Sequence, residues 1–276
     1  MSTIRSVLLH LDATPASAAR LEFARNFALR HQADLSAVFV DWPARRPVQL
    51  AFSERPAALP QPMELAAANG AKSLFDKAQA DGGPPIRWLE SSSADPVEAF
   101  CRQALHANLL VLGQHDPSAV VSGCAPTGFL ESVLIATDKP ALILPYEGKF
   151  DTAGRNVVIG WNATPEAARA ITAALPWLRS ARHVHVLEAV DESEQHHIGD
   201  LDIAQYLQSH GIAATLHRHR SSLTDVGGVL LSLASEIGAD LLVMACYRHS
   251  RLRELMLGGA SRSVLQTMTL PALIAH

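Results

Sequence analysis

Residues 11–19 read LDATPASAA, and residues 161–169 read WNATPEAAR. Two further stretches return in the same order: ANLLVLG at 107–113 as ADLLVMA at 239–245, and KPALIL at 139–144 as LPALIA at 270–275. Matches at the start, middle and end of each half define a tandem repeat, one domain present twice. The repeat divides the chain into domains 1–148 and 152–276. The junction, Glu147 to Gly154, is short, so the two halves are expected to pack together rather than hang on a flexible tether.

Within each half, apolar β-favouring runs alternate with helical periodicity. In the first half, strands are expected at Ile4–Leu11, Leu35–Val40, Ile86–Leu89, Leu109–Leu112 and Pro140–Leu144. Helices fall between them, the first beginning at Pro15 with Thr14 as its cap. Residues 42–62 hold five prolines and read as a long loop. The second half repeats the order, with strands at Val157–Trp161, Val184–Val190, Ile212–His217, Leu241–Ala245 and Pro271–Ala275. Continuously apolar strands alternating with helices imply an α/β fold. Two tandem doubly wound domains follow, each an open parallel sheet of about five strands with helices on both faces.

Composition narrows the function. The chain has 276 residues and a net charge of −4, divided evenly between the halves, with no polybasic tail. Nucleic acid and acidic membranes are therefore poor candidates as partners. No apolar run approaches the ~20 residues that span a bilayer, and Met1-Ser-Thr-Ile-Arg-Ser lacks signal-peptide regions. Cys101, Cys124 and Cys246 are odd in number and lack metal-like spacing, so a reduced cytoplasm is the simplest location.

In an open parallel sheet, ligands bind beyond the carboxyl ends of the strands where the strand order reverses. The second half places Asn162, the loop after Val190, and ACYRHSRLRELMLGGAS (245–261) at such positions. Gly258, Gly259, Ala260 and Ser261 open a helix, where bare backbone N–H groups and the helix dipole favour an anion. Arg248, His249, Arg251 and Arg253 precede them and Arg262 follows. The pattern reads equally as a glycine-rich turn beside a solvated basic face.

These residues resemble the universal stress protein family in its tandem two-domain form, across nearly the whole chain. The resemblance rests on LDATP and WNATP, on ADLLVMACYRHSRLRELMLGGASRSVL and on TLPALIAH. It implies an adenine-nucleotide alpha-hydrolase-like fold and a nucleotide motif, G-x2-G-x9-G-[S/T], after the fourth strand. In the second half those positions are Ala245, Arg248, Gly258 and Gly259, so only the third glycine is kept. The family's usual aspartate after the first strand is Asn162 here, and Ala189 falls where main-chain groups would meet adenine. Arg248 can be read two ways. It either clamps phosphate as a bidentate cation or fills the pocket where a glycine belongs.

The first half keeps the aspartate as Asp12, but its motif positions are Gly113, Asp116, Pro126 and Thr127. Asp116 would repel phosphate and Pro126 has no N–H to donate, so this site reads as lost. The resemblance implies a cytoplasmic stress-response regulator that is not an enzyme, or that hydrolyses ATP weakly. ATP, with magnesium, would sit in the second half. It also implies a pseudo-twofold unit pairing with a second copy, a homodimer, and an unknown protein partner. The alternative is a nucleotide-free module that dimerises or docks through Pro140–Pro145 and Pro271–His276. No acid–base pair supports a true enzyme.

Two HxH pairs, His183/His185 and His217/His219, each lie on one face of a strand. They read as partly exposed edge-strand histidines, the alternative being that the pairs converge on a metal across strands that the resemblance makes neighbours; no metal site is assigned to them. HIGD at 197–200 and DTAG at 151–154 lack the context of the signatures they are similar to.

Overall fold

The computed structural model describes residues 4–40, 62–91, 95–117, 125, 127–190, 202–220, 226–246 and 259–276. The proline-rich segment lies outside these residues except for Pro62. The first half runs β1 (Ser6–His10), α1 (Ala16–His31), β2 (Asp34–Val40), α2 (Pro62–Ala80), β3 (Ile86–Ser91), α3 (Pro96–Ala104), β4 (Leu109–Gly113), α4 (Phe129–Thr137) and β5 (Ala141–Leu144). The second runs β6 (Asn156–Trp161), α5 (Pro165–Leu178), β7 (His183–Val190), α6 (Ile203–Ser209), β8 (Thr215–Arg220), α7 (Val226–Glu236), β9 (Leu241–Ala245), α8 (Gly259–Thr267) and β10 (Ala272–Ala275).

The strands do not form two separate sheets. They join into one ten-stranded sheet in the order β3-β2-β1-β4-β5-β10-β9-β6-β7-β8. Within each half every pairing is parallel. The single antiparallel seam is β5 against β10, with Leu142 opposite Leu273. A pseudo-twofold axis therefore passes near that pair. All four residues of each seam strand are buried. The strands expected to serve as an open docking edge are thus consumed by one another, and a second copy would have to join through other surfaces.

Two cores cover the two faces of this sheet, and both are continuous across the seam. One gathers Phe23, Phe27 and Phe75 with Trp177, Ile203 and Leu207. The other gathers Phe100, Phe129 and Val133 with Leu230, Val264 and Leu265. Phe27 of α1 stacks on Trp177 of α5 at 5.2 Å, and Gln114 Nε2 donates to the Leu265 carbonyl at 3.0 Å. Burying both halves in common cores is what makes the repeat one rigid body.

The repeated residues have identifiable tasks. Asn108 Oδ1 accepts from the backbone N–H groups of Arg5 and Ser6, where the chain enters β1. Its counterpart Asp240 accepts from Gly154, Arg155 and Asn156 at the entry to β6. The A-N/D-L-L-V repeat is therefore a clamp between the first and fourth strands of each half, not a ligand motif.

Two local expectations fail for clear reasons. Thr14 does not cap α1; its hydroxyl donates to Asp12, and α1 begins after Pro15 with no side-chain cap. Ile212 is not in a strand. Gly211 ends α6 in the left-handed region at φ +75°, and the Ile212 N–H bonds back to the Leu207 carbonyl. The apolar side chain after such a glycine packs on the helix it terminates, so Ile212 is buried without belonging to β8.

Helices α7 and α8 pack closely at Gly227, where an added Cβ would lie 2.8 Å from the Ala260 carbonyl oxygen and 3.1 Å from Ser263 Cβ. The obstacle is partly backbone and cannot swing aside. Gly227→Ala is expected to destabilise the protein by about 1–3 kcal/mol, measured by urea unfolding. A neutral result would mean the two helices are free to separate.

Candidate functional site

In each half the strand order reverses between the first and fourth strands, and that is where a ligand crevice opens. The register puts Leu11 level with Gly113 in the first half, continuing from Leu9 opposite Val111. It puts Trp161 level with Ala245 in the second, continuing from Ile159 opposite Val243. Asp12 and Asn162 therefore occupy the same place in the two halves, just beyond the ends of β1 and β6.

Their surroundings differ. Asp12 is buried, and its Oδ1 is crowded with donors. It accepts from the Thr14 backbone N–H at 3.0 Å and from the hydroxyls of Thr14 and Ser17. It also pairs with the Arg20 guanidinium at 3.1 Å. Arg20 itself is buried; its Nε donates to the His10 carbonyl at 3.0 Å and its Nη2 to Ser17 Oγ at 2.8 Å. The third guanidinium nitrogen lies over Gly113, where a Cβ would be 2.0 Å from it. Gly113 is small because an arginine crosses it.

Burial pushes the Asp12 carboxyl up, but Arg20, His10 and the hydroxyls of Ser17 and Thr14 outweigh it and hold the group below the usual carboxylate range. His10 is lowered to about 4 because burial dominates; Asp12 pulls it up and Arg20 pushes it down. Its Nε2 has no hydrogen-bond partner. A cavity of about 60 Å³ adjoins this cluster, with Gln114, Glu131 and Tyr146 on its wall. That is room for a few water molecules.

The second half has none of this charge. Offset by 150 positions, Ser17 and Arg20 become Ala167 and Ala170, both buried. Asn162 is exposed, and its Oδ1 accepts from Thr164 Oγ1 at 3.1 Å. Thr164 also caps α5 by accepting from the Ala167 N–H at 3.3 Å. Between them Ala163 has φ +54°. The other non-glycine residues with positive φ among those described, Gln32 and Asp138, are helix C-caps. Ala163 is neither glycine nor a C-cap, and strain of this kind is characteristic of functional turns.

The remaining expected site residues fall as follows. Ala245 ends β9 and is buried; its carbonyl accepts from Ser261 Oγ at 3.3 Å. Ser261 is fully buried, so its hydroxyl is committed to the protein and only its backbone could meet a ligand. Gly259 and Ala260 form the first turn of α8, as the glycine-rich run implied. Ala189 lies on β7 opposite His219. Arg248 and Gly258 lie outside the described residues, as do Arg251, Arg253 and Pro126. Asn162, Ala245 and the α8 N-terminus thus lie at the same end of the sheet, and Ala189 stands on the neighbouring strand. Cys246 is buried next to them, and burial, helped by Glu131, pushes its thiol up to about 12. It is no nucleophile.

The reading of the sequence missed Arg20. Its signal is an arginine on the stripe formed by Ser17, Leu21, Ala24 and Ala28, which otherwise faces the core.

A duplicated, doubly wound α/β unit with a switch point in each half is a ligand-binding architecture of known type. No protein-family model matches the sequence, and no curated protein does. Solved structures do match it over its full length. A universal stress protein from Archaeoglobus fulgidus is 15% identical, with a TM-score of 0.69 over 98% of this chain and 95% of that one. A functionally unknown protein from Pseudomonas aeruginosa is 14% identical, with a TM-score of 0.64 over 99% and 92%. A Pseudomonas aeruginosa protein with a provisional universal-stress-protein name is also 14% identical, with a TM-score of 0.65 over 99% and 93%. The chain has the tandem universal stress protein fold. Among the described residues, no helix is long and apolar enough to cross a membrane.

Proposed function

We propose that the chain is a universal stress protein that acts as a cytoplasmic stress-response regulator and not as an enzyme. Its second half binds an adenine nucleotide with magnesium. The observation that carries this reading is the contrast between the two switch points. The first carries a buried Asp12–Arg20 ion pair beside a cavity of only about 60 Å³. The second keeps Asn162 exposed on a strained turn beside the opening of α8. There, the backbone of Gly258 to Ser261 would meet the phosphates, Arg248 would clamp them, Asn162 would meet the ribose–phosphate region and main-chain groups near Ala189 the adenine. Among the described residues no group of three or more His, Cys, Asp or Glu could hold a metal.

Thermal unfolding with and without millimolar MgATP tests this. Saturating ligand is expected to raise the Tm by several degrees. Arg248→Gly is expected to weaken binding at least tenfold, and Asn162→Ala to weaken it less. Tighter binding by the glycine variant would mean that the arginine fills the pocket instead.

A further inference from the structure

Strands β7 and β8 form the outer edge of the second half, and they carry four histidines on one face. His183 and His185 alternate along β7, and His217 and His219 along β8. Their register is parallel, with His185 opposite Thr215 and Leu187 opposite His217. Strand alternation puts all four side chains on the same side of the sheet. The Glu188–Arg218 pair falls on the opposite side by the same parity. His185 and His217 are diagonal neighbours, and their side chains meet: His185 Nδ1 lies 3.0 Å from His217 Nε2. Both rings are half-buried and open to solvent on one side.

Two imidazole nitrogens at this distance either share one proton or take a cation in its place. With metal–nitrogen bonds of about 2.0–2.1 Å, two nitrogens 3.0 Å apart subtend an angle of roughly 90–95° at the metal. That is the angle between neighbouring ligands in tetragonal or octahedral coordination, and it is narrower than a tetrahedral site requires. Bringing both lone pairs onto one point needs only a turn about χ2, a soft torsion in histidine. We propose that His185 and His217 form a two-nitrogen site for a borderline divalent transition metal, Cu²⁺ or Ni²⁺, at the outer edge of the second half. Water completes the coordination sphere, and His183 and His219 lie two residues from the pair along their strands.

The test is titration of the untagged full-length protein with CuCl₂ in the presence of a weak competing chelator, followed by calorimetry and by electron paramagnetic resonance. One tight copper per chain with coupling to two nitrogens is expected. His185→Ala and His217→Ala should each weaken that site at least tenfold and reduce the nitrogen coupling. His106→Ala, on an exposed turn remote from the pair, should leave it unchanged, and MgCl₂ should produce no heat at this site. Circular dichroism checks that the variants are folded. Equal copper affinity in the wild type and the His185→Ala/His217→Ala double variant would overturn the proposal. So would the absence of binding at 1:1 copper.

Discussion

Arg20→Ala is expected to be among the most damaging single substitutions in this protein, costing about 3–5 kcal/mol. The side chains of Arg20 and Asp12 are only 3% and 8% exposed. Removing the guanidinium leaves a carboxylate buried with hydroxyl and backbone donors but no countercharge. It also opens a void over Gly113. The second half contains a compensated version of the same place: Asn162 stands for Asp12, and Ala170 for Arg20. Asp12→Asn/Arg20→Ala should therefore be markedly more stable than Arg20→Ala alone. Removing both charges removes the desolvation penalty along with the attraction. Urea unfolding of the wild type, the single variants and the double variant measures the coupling. Additive losses would mean that the pair is not the unit described here.

Acid should act on the same cluster through His10. Its pKa falls from an ordinary 6.5 to about 4 in the folded protein because burial disfavours the charged ring. Below pH 6.5 the unfolded chain takes up a proton that the folded one refuses until about pH 4. The unfolded state thus binds more protons, and stability falls as pH is lowered across that window. The full displacement corresponds to about 3 kcal/mol. Asp12 has a depressed carboxyl, so its contribution persists above the ordinary carboxylate pKa and is lost only in stronger acid. His10→Gln cannot take up the proton. Between pH 7 and 4.5 it should lose about 2–3 kcal/mol less stability than the wild type. Equal losses in both proteins would place the acid sensitivity elsewhere.

Much of this architecture was legible before any coordinates. The apolar runs and the threefold match between halves cross-check each other, so nearly every strand falls within a residue or two of its expected place. The short junction implied halves packed together, and they share both cores, but the means was hidden. KPALIL and LPALIA look like any closing strand, and only three dimensions show them paired with each other across the seam.

The sites were harder to read. Asp12 matches a family position, and nothing nearby in sequence says that it is already occupied. Its partner Arg20 lies two helical turns further on, and the space they share is bounded by Gly113, which only the fold brings close. Nothing in the sequence shows that the tight approach of α8 to the end of β9 gives the Ser261 hydroxyl to the Ala245 carbonyl. The histidine pairs were legible as a shared face, and the 3.0 Å approach of His185 to His217 was not, because it depends on a diagonal register.

The central claim is that one half of this duplicated fold keeps a nucleotide site while the other fills its own. Calorimetric titration of the nucleotide-stripped, full-length protein with MgATP tests it most directly. The account predicts one site per chain, with the same stoichiometry in a Thr127→Ala variant of the first half and weakened binding in Arg248→Gly. Two sites per chain, or no heat at millimolar MgATP, would contradict it.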